Sequence, residues 1–173
     1  MRFKFLSVLA AVALVAACET APESSGNTQS SGGASTTSGS NAAPMAKVTI
    51  PHGSQEDLVV NVGDRVFFAL NSSELSAQAR ASLEKQAAWI NRFGGIRVVL
   101  EGHADERGTR EYNLALGERR ANAAKDYLVA LGVNPSRVKT LSYGKERPAA
   151  LGHNEAAWAQ NRRSVTVVDT SGS

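Results

Sequence analysis

The chain is poor in the features that most often reveal a function. It has one cysteine, Cys18, in 173 residues, so no intrachain disulfide can form. Its three histidines, His52, His103 and His153, lie in separate segments with no second His or Cys at ligand spacing, which argues against a metal site. No apolar run is long enough to span a bilayer. The longest, Phe5–Ala17, falls short of the roughly 20 residues that a helix needs. Charge is not lopsided either: 19 Lys and Arg face 16 Asp and Glu, and the excess shrinks once a leader carrying Arg2 and Lys4 is set aside. The sequence pI near 9.2 is therefore no argument for nucleic acid. Nothing predicts catalysis: Ser142 lies outside any G-x-S-x-G elbow, and Asp105 and Glu106 are loop neighbours that cannot flank a bond as an acid/base pair must. No cofactor is expected.

What is present begins at the N-terminus. A short positive region precedes the apolar stretch Phe5–Ala17, as in a signal peptide covering residues 1–17. Val15-Ala16-Ala17-Cys18 resembles the lipobox of bacterial lipoproteins, whose cleavage leaves an acylated Cys18; an ordinary small-residue cleavage site is the alternative. Two or more acyl chains make a stable anchor, at about 0.8 kcal/mol per buried CH₂. The next residue is Glu19, not the aspartate that holds lipoproteins at the inner membrane in the best-studied bacteria, so the outer membrane is expected. Residues 18–46 combine this cysteine with a Ser-, Gly- and Thr-rich linker that cannot bury enough apolar surface to fold. Residues 47–173 form the folded domain.

Within that domain, Val48-Thr49-Ile50 and Leu58–Val62 read as strand-like, with a turn at Gly63-Asp64. Arg65–Leu70 reads as a buried strand. Ser76 caps a helix to about Phe93 with Leu83, Ala87 and Ile90 on one face, stopped by Gly94-Gly95. Ile96–Leu100 is a second core strand. A long helix, about Arg110–Leu131, ends at Gly132, a short turn covers Pro135–Arg137, Val138–Tyr143 is a strand, Asn154–Asn161 a short helix and Ser164–Val168 a last strand. The order predicts an α/β (α+β) sandwich, one mixed sheet covered by two main helices.

The stretch Leu100–Ala121 carries the chemistry. A strand runs into a charged, glycine-broken loop, His103–Gly108, and then into the start of the long helix, capped by Thr109. Asn113 and Arg120 are seven residues apart and share a helix face with Gly117, whose presence mid-helix asks for a packing or access reason. Helical side chains lean toward the N-terminus, so Arg120 points back toward the loop of Asp105. A carboxylate, an amide and a guanidinium converging beside a helix N-terminus suit a zwitterionic or carboxylate-bearing ligand. The plain alternative is that Asp105 only complements the helix dipole. Leu114 and Leu116 read as core or wall, and Arg119, about 100° further round, as a solvated or ion-paired residue.

GHADERGTREYNLALGERRA and SYGKERPAALGHNEAAWAQNRRSVTV together resemble the peptidoglycan-binding domain family named after outer-membrane protein A, in the subgroup of peptidoglycan-associated lipoproteins. The resemblance implies a protein lipid-anchored in the outer membrane, with its domain in the periplasm. There it would bind peptidoglycan noncovalently and work with the Tol proteins TolA and TolB in envelope integrity and cell division. It also implies that Asp105 and Arg120 bind the diaminopimelate of the stem peptide, that Asn113 matches the family's helix asparagine, and that one of Arg162 and Arg163, rather Arg162, lines the site. The alternative for both arginines is anchoring the loop on Glu101 or Asp105. Relatives commonly carry aspartates where this chain has Ala69 and Asn71; Asn71 can still donate and accept, but a carboxylate contact is lost. A wall-anchoring lipoprotein without a Tol role is the runner-up, and a periplasmic peptidoglycan hydrolase is the reading of a different class. A flagellar stator subunit shares the domain but needs a true membrane span.

Overall fold

The structure, a computed structural model, describes residues 49–170. The signal peptide, Cys18, the linker and the start of the first expected strand lie outside the described residues. Among the described residues no helix is long and apolar enough to cross a membrane, and no group of His, Cys, Asp and Glu could hold a metal.

Four strands form one sheet in the order β1-β4-β2-β3. β1 is Arg65–Phe67, β2 Val98–His103, β3 Val138–Gly144 and β4 Arg163–Val168. β2 runs parallel to β3 and antiparallel to β4, while β1 joins β4 antiparallel at the edge. Two long helices pack on it: α2, Ala77–Arg92, and α3, Arg110–Ala130. Between them lies a core of Leu58, Val66, Phe68, Leu83, Ile90, Val98, Leu100 and Leu128. Two short helices, α1 at Gln55–Asp57 and α4 at Glu155–Asn161, complete the domain. This is the expected α/β arrangement of a mixed sheet covered by helices.

Each helix begins where a polar side chain can satisfy its first free N–H groups. The hydroxyls of Ser76 and Thr109 accept from the amides of Ala79 and Tyr112, and the Asn154 side chain accepts from Ala157. At the far end of α3, Gly132 takes φ +90°, a left-handed turn that lets the Val133 amide reach back to the carbonyl of Leu128. The end of α2 is closed from outside: the Arg137 guanidinium donates to the carbonyls of Ile90, Phe93 and Ile96 at 2.7–2.8 Å.

Four expected elements differ. Leu58–Val62 is not strand but a π-type helical turn that continues α1, closed by the Gly63 amide on the Leu58 carbonyl at φ +92°. Its apolar run buries one residue, Leu58, and leaves Val59 and Val60 exposed. Thr49 and Ile50 are likewise outside any strand. The strand expected over Arg65–Leu70 stops at Phe67 because the next carbonyls are claimed by arginine side chains, as described below. β2 in turn starts at Val98, since the Ile96 carbonyl is held by Arg137, and continues to His103.

Gly117 has a packing reason. A Cβ on Gly102 of β2 would lie 1.8 Å from the Gly117 carbonyl oxygen, and a Cβ on Gly117 would lie 2.4 Å from the Ser142 hydroxyl. The two glycines let α3 touch the sheet backbone directly, which sets the height of the helix start above the ends of β2 and β3. Leu116 is buried there, but Leu114 is 49% exposed and does not belong to the core.

Candidate functional site

The site lies beyond the carboxyl ends of the parallel pair β2 and β3, where open α/β sheets form their crevices. The loop Ala104–Thr109 is held at every turn. The Ala104 amide donates to the Gly144 carbonyl, the Asn113 side chain donates to the Arg107 carbonyl, and the Lys145 ammonium donates to the carbonyls of Glu106 and Gly108. Asn113 is thus buried, on the loop backbone, rather than open to solvent.

Asp105 is 5% exposed and surrounded by donors. The Arg107 amide and Nε donate to Oδ1 at 3.1 and 3.2 Å, and Arg107 Nη2 donates to Oδ2 at 2.5 Å. Arg162 Nη1 approaches Oδ2 at 3.4 Å. Burial alone would push this carboxyl up; the hydrogen bonds and charge of Arg107, with help from Arg162, outweigh it and hold Asp105 below the usual carboxylate range.

Arg120 is wholly buried. Its Nε donates to the Ser72 carbonyl at 2.9 Å, Nη1 to His103 at 2.8 Å and Nη2 to Ala69 at 3.0 Å, and the guanidinium lies 5.3 Å from the Phe68 ring centroid. Burial pushes it down to about 10, with the Asp105 charge opposing the shift. Each terminal nitrogen spends one of its two hydrogens on these bonds. Arg162 makes a parallel set: Nε to the Phe68 carbonyl at 3.1 Å and Nη2 to Glu155 at 2.6 Å. Two arginines therefore fold the β1–α2 turn around themselves by its carbonyls, which is why β1 ends early. Asn71 sits on that turn, exposed, at φ +52°.

The structure thus brings Asp105, Arg120, Asn113 and Arg162 together, with Asn71 on the adjoining turn. Arg163 faces elsewhere, donating to the carbonyls of Asn161 and Arg147. Arg119 is exposed, 6.0 Å from the Tyr112 ring. Three residues were missed by sequence reasoning: Arg107, Glu155 and Trp158. Arg107 stands over the Trp158 ring at 4.1 Å, with Nη1 3.8 Å from Glu155 Oε2. The Trp158 indole N–H donates to Glu106, whose carboxylate also lies 2.7 Å from His153 Nδ1. A signal was available: Glu155 and Arg162 are seven residues apart, two turns along one helix face, and Arg107 is two residues from Asp105, the span of a local Asx turn.

His103 occupies the last position of β2, 2% exposed, stacked on Tyr143 at 5.6 Å. Burial, then the charges of Arg163 and Arg147, push it down to about 4, so it is a neutral wall of the loop.

Fold and site together define a class. The model of the OmpA family matches residues 67–162, more than half of the chain, and the chain belongs to that family. Its relatives are more particular. The peptidoglycan-associated lipoprotein of Mesorhizobium japonicum is 56% identical over 121 residues, 70% of this chain and 72% of that protein. That of Rhizobium meliloti is 54% identical over 121 residues, 70% and 69% of the two chains. The crystal structure of the peptidoglycan-associated lipoprotein from Burkholderia pseudomallei superimposes with a TM-score of 0.60 at 42% identity, covering 61% of this chain and 90% of that one.

Proposed function

We propose that this chain is an outer-membrane lipoprotein whose periplasmic domain grips peptidoglycan noncovalently, without breaking bonds. The ligand is the diaminopimelate of the stem peptide, and the protein works as the wall-binding partner of the Tol proteins TolA and TolB. The relatives named for association with peptidoglycan support this. The observation that carries it is the buried Asp105 carboxylate set among Arg107, Arg120 and Arg162 at the mouth of the parallel strands. A head group bearing both ammonium and carboxylate matches such a mixed cluster, since Asp105 accepts from the first and a guanidinium clamps the second. Arg120, wholly buried, serves the site from behind: its bonds to the carbonyls of Ala69, Ser72 and His103 shape the turn, and its charge acts on Asp105. Arg162 stands beside Asp105, Asn113 fixes the loop, and Asn71 forms the rim.

Sedimentation with purified sacculi tests this. The chain should co-sediment, be displaced by free diaminopimelate, and release no muropeptides on prolonged incubation. Asp105→Asn should weaken binding by about tenfold to a hundredfold, the loss of one hydrogen bond to a charged partner. Undiminished binding by a folded Asp105→Asn variant refutes the site, and muropeptide release refutes the absence of catalysis. Anchoring is tested separately: Cys18→Ser should leave the outer-membrane fraction, and an unmodified Cys18 in the mature wild-type protein refutes lipidation.

A further inference from the structure

Asp105 is 5% exposed and both of its oxygens are occupied, Oδ1 by the Arg107 amide and Nε, Oδ2 by Arg107 Nη2 with Arg162 Nη1 at 3.4 Å. An incoming ammonium can reach Asp105 only if Arg107 leaves. Arg107 has somewhere to go: its side chain is 34% exposed, one face lies on the Trp158 ring, and Glu155 stands 3.8 Å away. It is also the most accessible cation of the cluster, since Arg120 is fully buried and Arg162 is 7% exposed.

We infer that the Asp105–Arg107 ion pair is an internal stand-in for the ligand, opened by a zwitterionic head group whose ammonium replaces Arg107 on Asp105 and whose carboxylate is taken up by the released Arg107. This deepens the function proposed above and rests on it. The physical logic is exchange. A cation alone would strand Arg107 away from its main partner, and an anion alone would strand Asp105. A zwitterion supplies both partners at once, so each broken contact is replaced by one of the same kind. Arg107 thereby becomes a specificity residue for the charge state of the head group, while Asp105 is needed whatever the carboxylate carries.

The experiment compares two synthetic tripeptides ending in meso-diaminopimelate, one with the free head group and one with its head carboxylate amidated. Calorimetry reads affinity and fluorescence reads Trp158. The wild type should prefer the free head by about tenfold or more, the value of one charge-assisted contact. Arg107→Gln should cut this preference to below about threefold, partly by binding the amidated peptide better than the wild type does. Arg107→Lys, which keeps the charge without the fork, should fall between. Asp105→Asn should weaken both peptides alike. Binding of the free head should shift the indole emission, and Trp158→Phe should lose that shift. An undiminished preference in both folded Arg107 variants, with Asp105→Asn still impaired, overturns the exchange alone. Binding without any Trp158 response also overturns it. Unchanged binding of both peptides by Asp105→Asn overturns the site reading and the exchange with it.

Discussion

Arg120→Ala should destabilise the domain severely, apart from any effect on ligand. In the native state three backbone carbonyls, those of Ala69, Ser72 and His103, accept from this one side chain, which is itself wholly buried. A hydrogen bond to a charged group contributes about 1.5–3 kcal/mol, so three represent about 5–9 kcal/mol gross. Against this stands the cost of burying the guanidinium. A shift down to about 10 corresponds to about 3 kcal/mol, at 1.4 kcal/mol per unit. The net loss is about 2–6 kcal/mol, a large part of the roughly 5–15 kcal/mol that a domain has. Urea unfolding followed by far-UV circular dichroism measures it. Arg120→Lys should recover part of the loss, since an ammonium can satisfy some but not all of the carbonyls. Binding must then be expressed per folded molecule. A loss below about 1 kcal/mol for Arg120→Ala would refute the reasoning and leave Arg120 as a ligand contact only.

Three other outcomes are expected. In the fold His103 takes up a proton only near pH 4, whereas in the unfolded chain it does so near 6.5. Stability should therefore be whole above pH 6.5 and fall as pH drops toward 4, by up to about 3 kcal/mol, and His103→Gln should flatten that slope in urea titrations across pH. Gly102→Ala should fail to fold or lose more than about 3 kcal/mol, because its Cβ would meet the Gly117 carbonyl at 1.8 Å, while Gly95→Ala, with nothing within 4 Å, should be near neutral by thermal denaturation. Arg137→Ala removes three bonds from the end of α2 and should cost about 2–4 kcal/mol, with faster amide exchange over Ile90–Ile96.

Most of the fold was legible because its elements announce themselves locally. Ser76, Thr109 and Asn154 mark helix starts by their side chains, and Gly132 marks an end by its φ. Misreadings fell where tertiary contacts overrule local pattern. Leu58–Val62 looks like a strand until the Gly63 amide is seen to close a helical turn on the Leu58 carbonyl. Phe68–Leu70 looks like more strand until two distant arginines claim the carbonyls. In the site, helical spacing was enough to place Asn113 and Arg120 on one face. Spacing could not tell that Arg120 would be sealed off, nor that Arg107 and Glu155 would meet across the site, since these depend on where α4 docks.

The clasp at the start of the domain has a mechanical consequence. The Gln55 side chain accepts from the Val168 amide and donates to the Thr166 carbonyl, binding the entering chain to the last strand. Asp57 accepts from the Trp89 indole and the Gly53 amide. This clasp sits at the Val168 end of β4, whereas β2 delivers the loop of Asp105 at the Ser164 end. A pull entering ahead of Thr49 and resisted at Asp105 therefore runs lengthwise along the strands. Ladder bonds lie across that direction, so those of a strand pair share the load in shear instead of parting one by one as in a zipper. The clasp is the first set of bonds on that path, at the opposite end of the sheet from the loop of Asp105.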